Sequence, residues 1–242
     1  MILALPHLIV LWALGYAVIV VTIVAWFAAL FTARVPEGIY GFIGWIVRYG
    51  TRVVSYLWLL TDRWPAFTEN ADDEVQVRLP GPQRLNRAAV FFRLILMIPA
   101  AILASVLNSG LAIAGFFIWL IVLIRGRVPQ PVFDGAASAV RFQTRFYAYV
   151  SLLTARYPSG VYGDPGEATD ASATTDAPVP PIVNQGAKRM VVLFVVLGVL
   201  GVIGQVVASA ANTHTATPGD TRPADSCVSV VGTVRCGAYL IN

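Results

Sequence analysis

"LILMIPAAILASVLNSGLAIAGFFIWLIVLI", residues 94–124, contains no charged side chain. A helix needs only about 20 apolar residues to cross a bilayer. The stretch therefore reads either as two arms of a hairpin or as one long tilted helix. "LNSGL" (107–111) near its middle is a plausible turn, because Asn and Gly tolerate left-handed backbone. The choice decides the fold, since it decides whether the segments on either side face the same way.

Two further stretches lack charge, Met1 to Ala33 and Met190 to about Asn212. Basic residues follow the first (Arg34, Arg48, Arg52, Arg63), follow the second (Arg125, Arg127, Arg141, Arg145, Arg156) and precede the third (Lys188-Arg189). The positive-inside rule places all of these in the cytoplasm. Residues 94–124 must then leave and return, so a hairpin is expected, with Gly15-Tyr16 at the aligned place in the first stretch. Each arm would have about 14–16 residues, or roughly 21–24 Å, against a hydrocarbon core of about 30 Å. Apolar flanks such as "AAVFF", snorkelling of Arg93, or incomplete entry would close that gap. A single tilted helix would invert the second half and put one arginine-rich segment outside, against the charge bias.

The composition agrees with a membrane protein. Of 242 residues, 57% are hydrophobic and 12% charged, with a mean hydropathy of +0.71, whereas soluble domains carry about 25% charged residues. The first stretch has no basic n-region and runs into Arg34 rather than a small-residue cleavage site, so it reads as an anchor and not as a secretion signal. The net charge of +4 is modest; its placement beside apolar stretches points to membrane lipid, and no nucleic-acid partner is expected.

The chain repeats itself. Shifted by 93 positions without a gap, residues 5–65 align with 98–158, and eighteen of the 61 positions are identical. They include Pro6/Pro99, Trp26/Trp119, Arg48/Arg141, Arg52/Arg145, Tyr56/Tyr149 and Pro65/Pro158. Shared leucine richness would not bring arginines, prolines and tryptophans into register, so this is a tandem duplication. The second unit has a front portion, "VQVRLPGPQRLNRAAVFFR" (75–93), whose counterpart in the first would fall before Met1. A lost or mis-called start is expected there.

"LPHLIVLW", "AWFAALFTARVPEGIYGF", "RYGTRVVSYLWLLTDRWPAF" and "VQVRLPGPQRLNRAAVFFRLILMIP" resemble the bacterial membrane family called domain of unknown function 4389, over roughly residues 1 to 162 and in both units. The second unit departs from the pattern at Ala100, where the first has His7, and at "PQPVFDG", where the first has "PEGIYGF". The resemblance implies an integral membrane protein, most familiar in actinobacteria, with no assigned activity or catalytic residues.

Within each unit a polar stripe follows the apolar stretch. Arg48, Thr51, Arg52 and Ser55 keep helical spacing, as do Arg141, Thr144 and Arg145. A helix with arginines on one face and apolar or aromatic side chains on the other suits the membrane interface, and Trp45, Trp58 and Trp64 suit headgroup depth. Arg48, Arg52, Arg141 and Arg145 are the candidate contacts to anionic lipid or a partner. The competing reading is structural, with the arginines snorkelling or bonding Asp62, Glu37 or Asp134. Arg34-Val35-Pro36 and Arg127-Val128-Pro129 read as helix boundaries: the arginine ends one helix at the interface, and the proline opens the next, where its missing N–H costs little. His7 reads as an interfacial structural histidine, because the apolar stretches offer no carboxylate or second histidine beside it.

Residues 62–87 read as a small extended element on the interfacial helices, ending in "VQVRLPGP", and 159–187 as a flexible acidic linker. "CVSVVGTVRC" reads as two short strands that could join Cys227 to Cys236 by a disulfide, provided the tail lies outside the cell. Walker, dinucleotide-binding, zincin and nucleophile-elbow motifs are absent. Asp62, Asp72, Asp73 and Glu74 read as a solvated loop.

The expected fold is thus an all-α integral membrane protein of the bacterial plasma membrane. It has a tandem repeat of apolar helical hairpin plus amphipathic interfacial helix, one extra C-terminal transmembrane helix, and short extended elements. Residues 1–66 form the first repeat, 67–158 the second, 159–187 the linker, 188–212 the final helix and 213–242 an extracytoplasmic tail. The N-terminus and basic segments are expected in the cytoplasm. The expected role is a non-enzymatic scaffold or accessory subunit without cofactors or metal, bound to anionic lipid and to a membrane-protein partner or a second copy. The alternative is a small transporter or channel subunit, which a polar pathway between the repeats would favour over a dry interface.

Overall fold

The computed structural model describes residues 4–68, 75–162, 185–214, 228–230 and 233–235. Among these described residues are five helices: α1 (Leu5–Thr32), α2 (Glu37–Leu57), α3 (Arg87–Arg125), α4 (Gln130–Val150) and α5 (Gln185–His214). Two compact units form, Met1–Val202 and Ile203–Asn242. In the second, strands β1 (Val228–Val230) and β2 (Thr233–Arg235) pair antiparallel, with Val228 opposite Arg235 and Val230 opposite Thr233. The expected disulfide falls on Cys227 and Cys236, outside the described residues.

The hairpin expectation is overturned. Residues 94–124 lie within the single 39-residue helix α3, which is about 58 Å long at ~1.5 Å per residue. Gly15-Tyr16 likewise lies within the continuous 28-residue helix α1. The reason is at Gly110. A Cβ there would come within 1.7 Å of the Phe194 carbonyl oxygen, and one at Gly198 within 1.9 Å of the Val106 carbonyl oxygen. The "SG" of "LNSGL" is a helix–helix contact in which two backbones approach closely, not a turn. Small residues at such crossings serve close approach in membranes.

α1, α3 and the stretch Gln185–Ser209 of α5 are each long and apolar enough to span a membrane. Ile9, Trp12, Phe31, Ile102, Phe116 and Ile124 are among the large apolar side chains they leave exposed, which suits a surface facing lipid.

The amphipathic helices do not stand apart from the apolar ones. A four-residue connection joins α1 to α2, and Tyr49 of α2 meets His7 near the start of α1, so α2 runs back antiparallel along α1. α4 returns along α3 in the same way, with Tyr149 reaching Arg93. The repeat is therefore a hairpin of one apolar and one amphipathic helix. Arg87 donates from Nη2 to the Phe31 carbonyl and the Leu85 N–H donates to that of Ala33, so α1 ends where α3 begins. Arg34 and Arg127 consequently lie at opposite ends of α3.

The two units repeat in backbone detail at the same offset of 93. Ala33 (φ 57) and Gly126 (φ 69) end the apolar helices in the left-handed region, one residue before each Arg-Val-Pro. Leu59 (φ 58) and Leu152 (φ 63) end the amphipathic helices likewise. There Leu60 N–H donates to Ser55 O, and Leu153 N–H to Ala148 O, both at 2.9 Å. This is the six-to-one bond of a Schellman ending, which satisfies carbonyls the helix leaves open. A leucine tolerates left-handed backbone at a cost of roughly 1–2 kcal/mol; burial of Leu152 at 3% and Leu153 at 2% exposure offsets it.

Candidate functional site

The helices α2 and α4 pack antiparallel through equivalent residues. Thr51 Oγ1 and Thr144 Oγ1 share a hydrogen bond of 3.0 Å, and these residues occupy the same position of the two units. Each hydroxyl also lies within reach of a carbonyl of its own helix, Thr51 of Val47 O at 2.8 Å and Thr144 of Val140 O at 3.0 Å; whichever hydroxyl donates across the interface gives up its own intrahelical bond, while the other keeps it. The pair thus marks a local two-fold axis between the units. The Tyr40 hydroxyl reaches the Leu153 carbonyl at 3.4 Å farther along this interface. Two buried clusters flank the pair. One holds Ala25, Ala29, Ile43, Val90 and Leu153; the other holds Leu111, Ala114, Ile118, Ala136 and Phe194.

The four candidate arginines are spread around this interface. Arg141 is exposed, Arg48 and Arg145 are half-buried, and Arg52 is buried at 6% exposure. Arg145 Nη2 donates to the Gly160 carbonyl at 2.8 Å, tying α4 to the chain that follows it. Burial leaves Arg52 no open face, so open surface belongs chiefly to Arg141. Of the boundary residues, Pro36 and Pro129 occupy the N-cap positions of α2 and α4, and Arg34 and Arg127 are exposed in the links before them.

Two polar sites form around residues that the sequence marks only as lying near a boundary. His7 is 3% exposed, and its Nδ1 shares a 2.6 Å hydrogen bond with the Tyr49 hydroxyl. Trp64 meets the imidazole edge-on at 4.7 Å between centroids, Phe67 lies 5.5 Å away, and Trp45 stacks on Tyr49 at 5.8 Å. The Trp45 indole donates to the Phe67 carbonyl, which fastens the extended segment over the cage. The partner lies 42 residues away from His7, which hid it. A signal was present in the repeat: the second unit has Ala100 for His7 and Phe142 for Tyr49. The hydroxyl occurs only in the unit with an imidazole.

Arg93 does not snorkel. It is 4% exposed, with Nη1 donating to Tyr149 O at 2.8 Å and Nη2 to Thr154 O at 2.9 Å. Its guanidinium carbon sits 4.3 Å from the Tyr149 ring centroid, an arrangement that adds cation–π attraction to two charge-assisted hydrogen bonds. No group of three or more His, Cys, Asp or Glu that could hold a metal ion occurs among the described residues.

The model of the family described as domain of unknown function 4389 matches the chain twice, over residues 1–69 and 87–161. No curated protein and no solved structure matches.

Proposed function

The chain belongs to the domain of unknown function 4389 family with two tandem units, and from that premise we propose that it is a non-enzymatic membrane scaffold or accessory subunit. Its two units lock to each other through α2 and α4, while α1, α3 and α5 face lipid. The observation that carries this reading is the direct Thr51–Thr144 contact. It occupies the axis where two halves of a transport pathway would part. Buried Ala, Leu, Ile and Phe side chains on either side support a dry, closed interface. Of the four candidate arginines on α2 and α4, Arg141 is the exposed one that can meet an anionic headgroup or partner, at about 1 kcal/mol for a basic residue near such a membrane.

In this reading α1, α3 and α5 cross the bacterial plasma membrane and the units are inverted. The end of α3 carrying Arg125 and Arg127 faces the cytoplasm together with Lys188 and Arg189, as the positive-inside rule prefers. Arg34 then faces out.

Reconstitution in vesicles with anionic lipid tests the role. A scaffold leaves ion and proton leakage at the level of empty vesicles, and Arg141→Glu lowers the anionic lipid that stays with the purified protein. Ion or proton flux above empty vesicles would overturn the scaffold reading in favour of a transporter or channel subunit.

A further inference from the structure

Asn108 sits where a spanning helix is ordinarily apolar. It lies 14 residues from one end of the charge-free stretch 94–124 and 16 from the other, near the middle of the part of α3 that is long and apolar enough to cross a bilayer. Its side chain is exposed, although hydrocarbon offers it neither donor nor acceptor. Gln143 of α4 reaches it, with Nε2 donating to Asn108 Oδ1 at 3.4 Å. The second unit thus brings two carboxamides together at mid-depth.

The pair does not satisfy itself. Each carboxamide holds one NH2 group and one carbonyl. After their single bond, the Asn108 NH2 and the Gln143 side-chain carbonyl have no partner among the described residues. Flipping both amides exchanges the roles and leaves the same remainder, one donor group and one acceptor. The repeat does not demand these residues, because the first unit has Gly15 and Gly50 at the aligned positions. Its hairpin of α1 and α2 forms with no amide there.

The remainder is self-complementary. A two-fold axis along the membrane normal keeps every residue of a second copy at its own depth. It sets the donor of each copy against the acceptor of the other, in two equivalent hydrogen bonds. A foreign helix would need a polar residue at that depth, whereas a second copy has it by identity. Ser105 and Ala112, about one turn to either side of Asn108, are exposed and small, and small residues let membrane helices approach. We infer that two copies of the chain associate in the membrane through the Asn108–Gln143 face of α3 and α4. The inference rests on α3 crossing the bilayer and not on the scaffold role, so a leak-free but monomeric protein would overturn it alone.

The test begins in membranes of cells expressing the full chain with Cys227 and Cys236 replaced. Ser105→Cys should crosslink on oxidation to a product of twice the mass, and Ser109→Cys, which faces Gly201 of α5, should not. Two differently tagged copies expressed together should meet in that product, which identifies the partner as the same chain. Energy transfer between labelled copies diluted in phosphatidylcholine vesicles then gives the strength of association. Asn108→Leu should weaken it about tenfold, the loss of two interhelical hydrogen bonds, and Gln143→Leu should do the same. Thermal unfolding of each variant checks that the fold survives. A chain that stays monomeric, a Ser105→Cys product that never holds both tags, or association unchanged by Asn108→Leu in a folded variant overturns the inference.

Discussion

The crossing of α3 and α5 gives the sharpest test of the fold. Gly110→Ala places a methyl group 1.7 Å from the Phe194 carbonyl oxygen, and Gly198→Ala places one 1.9 Å from that of Val106. Ordinary contact begins near 3.4 Å, so either substitution must push the helices apart by about 1.5 Å along that line, and the backbone atoms involved cannot rotate aside. Phe194 is 1% exposed between α3 and α4, and the shift loosens its packing. Overpacking of this kind costs about 1–3 kcal/mol. Once one methyl has separated the helices, the second meets less resistance, so the double variant should cost clearly less than the two singles added. Gly15→Ala and Gly204→Ala serve as controls, because nothing lies within 4 Å of either added Cβ; both should be neutral or slightly stabilising through better helix propensity. The assay is reversible unfolding in mild detergent. A Gly198→Ala variant within about 0.5 kcal/mol of the parent, the range of an ordinary surface substitution, would refute the crossing.

Three further outcomes follow from the same geometry. His7→Ala leaves the Tyr49 hydroxyl buried without its partner and should cost about 1–3 kcal/mol on that account; adding Tyr49→Phe, which restores the Ala–Phe combination of the second unit, should recover part of it, and additive losses in the same unfolding assay would deny the coupling. Arg93→Lys keeps the charge but cannot reach both carbonyls as a planar fork; a loss of about 1–3 kcal/mol is expected, and an unchanged unfolding midpoint would show the clamp to be idle. Single cysteines at Glu37, Gln130 and Ser109, in a chain with Cys227 and Cys236 replaced, should respond differently to an impermeant maleimide on intact cells: labelling at 37 and protection at 130 and 109. Labelling at 109 would restore the hairpin, and equal access at 37 and 130 would deny the inversion.

The duplication was legible because arginine, proline and tryptophan keep register where apolar residues need not, and the three apolar stretches coincide with the three helices long enough to span. The turn reading failed at Gly110 because a glycine marks either left-handed backbone or the close approach of a second backbone, and only α5 distinguishes them. The length of the expected arms, too short for a hydrocarbon core, was the better guide than the charge bias. Leu59 and Leu152 gave no hint of positive φ, since leucine seldom adopts it and Schellman endings usually show glycine. The His7–Tyr49 pair required a comparison of the two units residue by residue. Arg93 lies near a boundary in the chain, which suggests snorkelling, whereas the end of α4 folds back to cover it.

The bond between Thr51 and Thr144 joins two copies of one position. In a protein made of a single unit the same bond would join a residue to itself across two molecules. In the inverted topology proposed above, those molecules would sit upside down relative to each other in the bilayer, so one polypeptide would need to be inserted in both orientations in equal supply. Carrying both units on one chain removes that demand. It also releases the two positions from identity, so that one unit could keep His7 and Tyr49 where the other has Ala100 and Phe142.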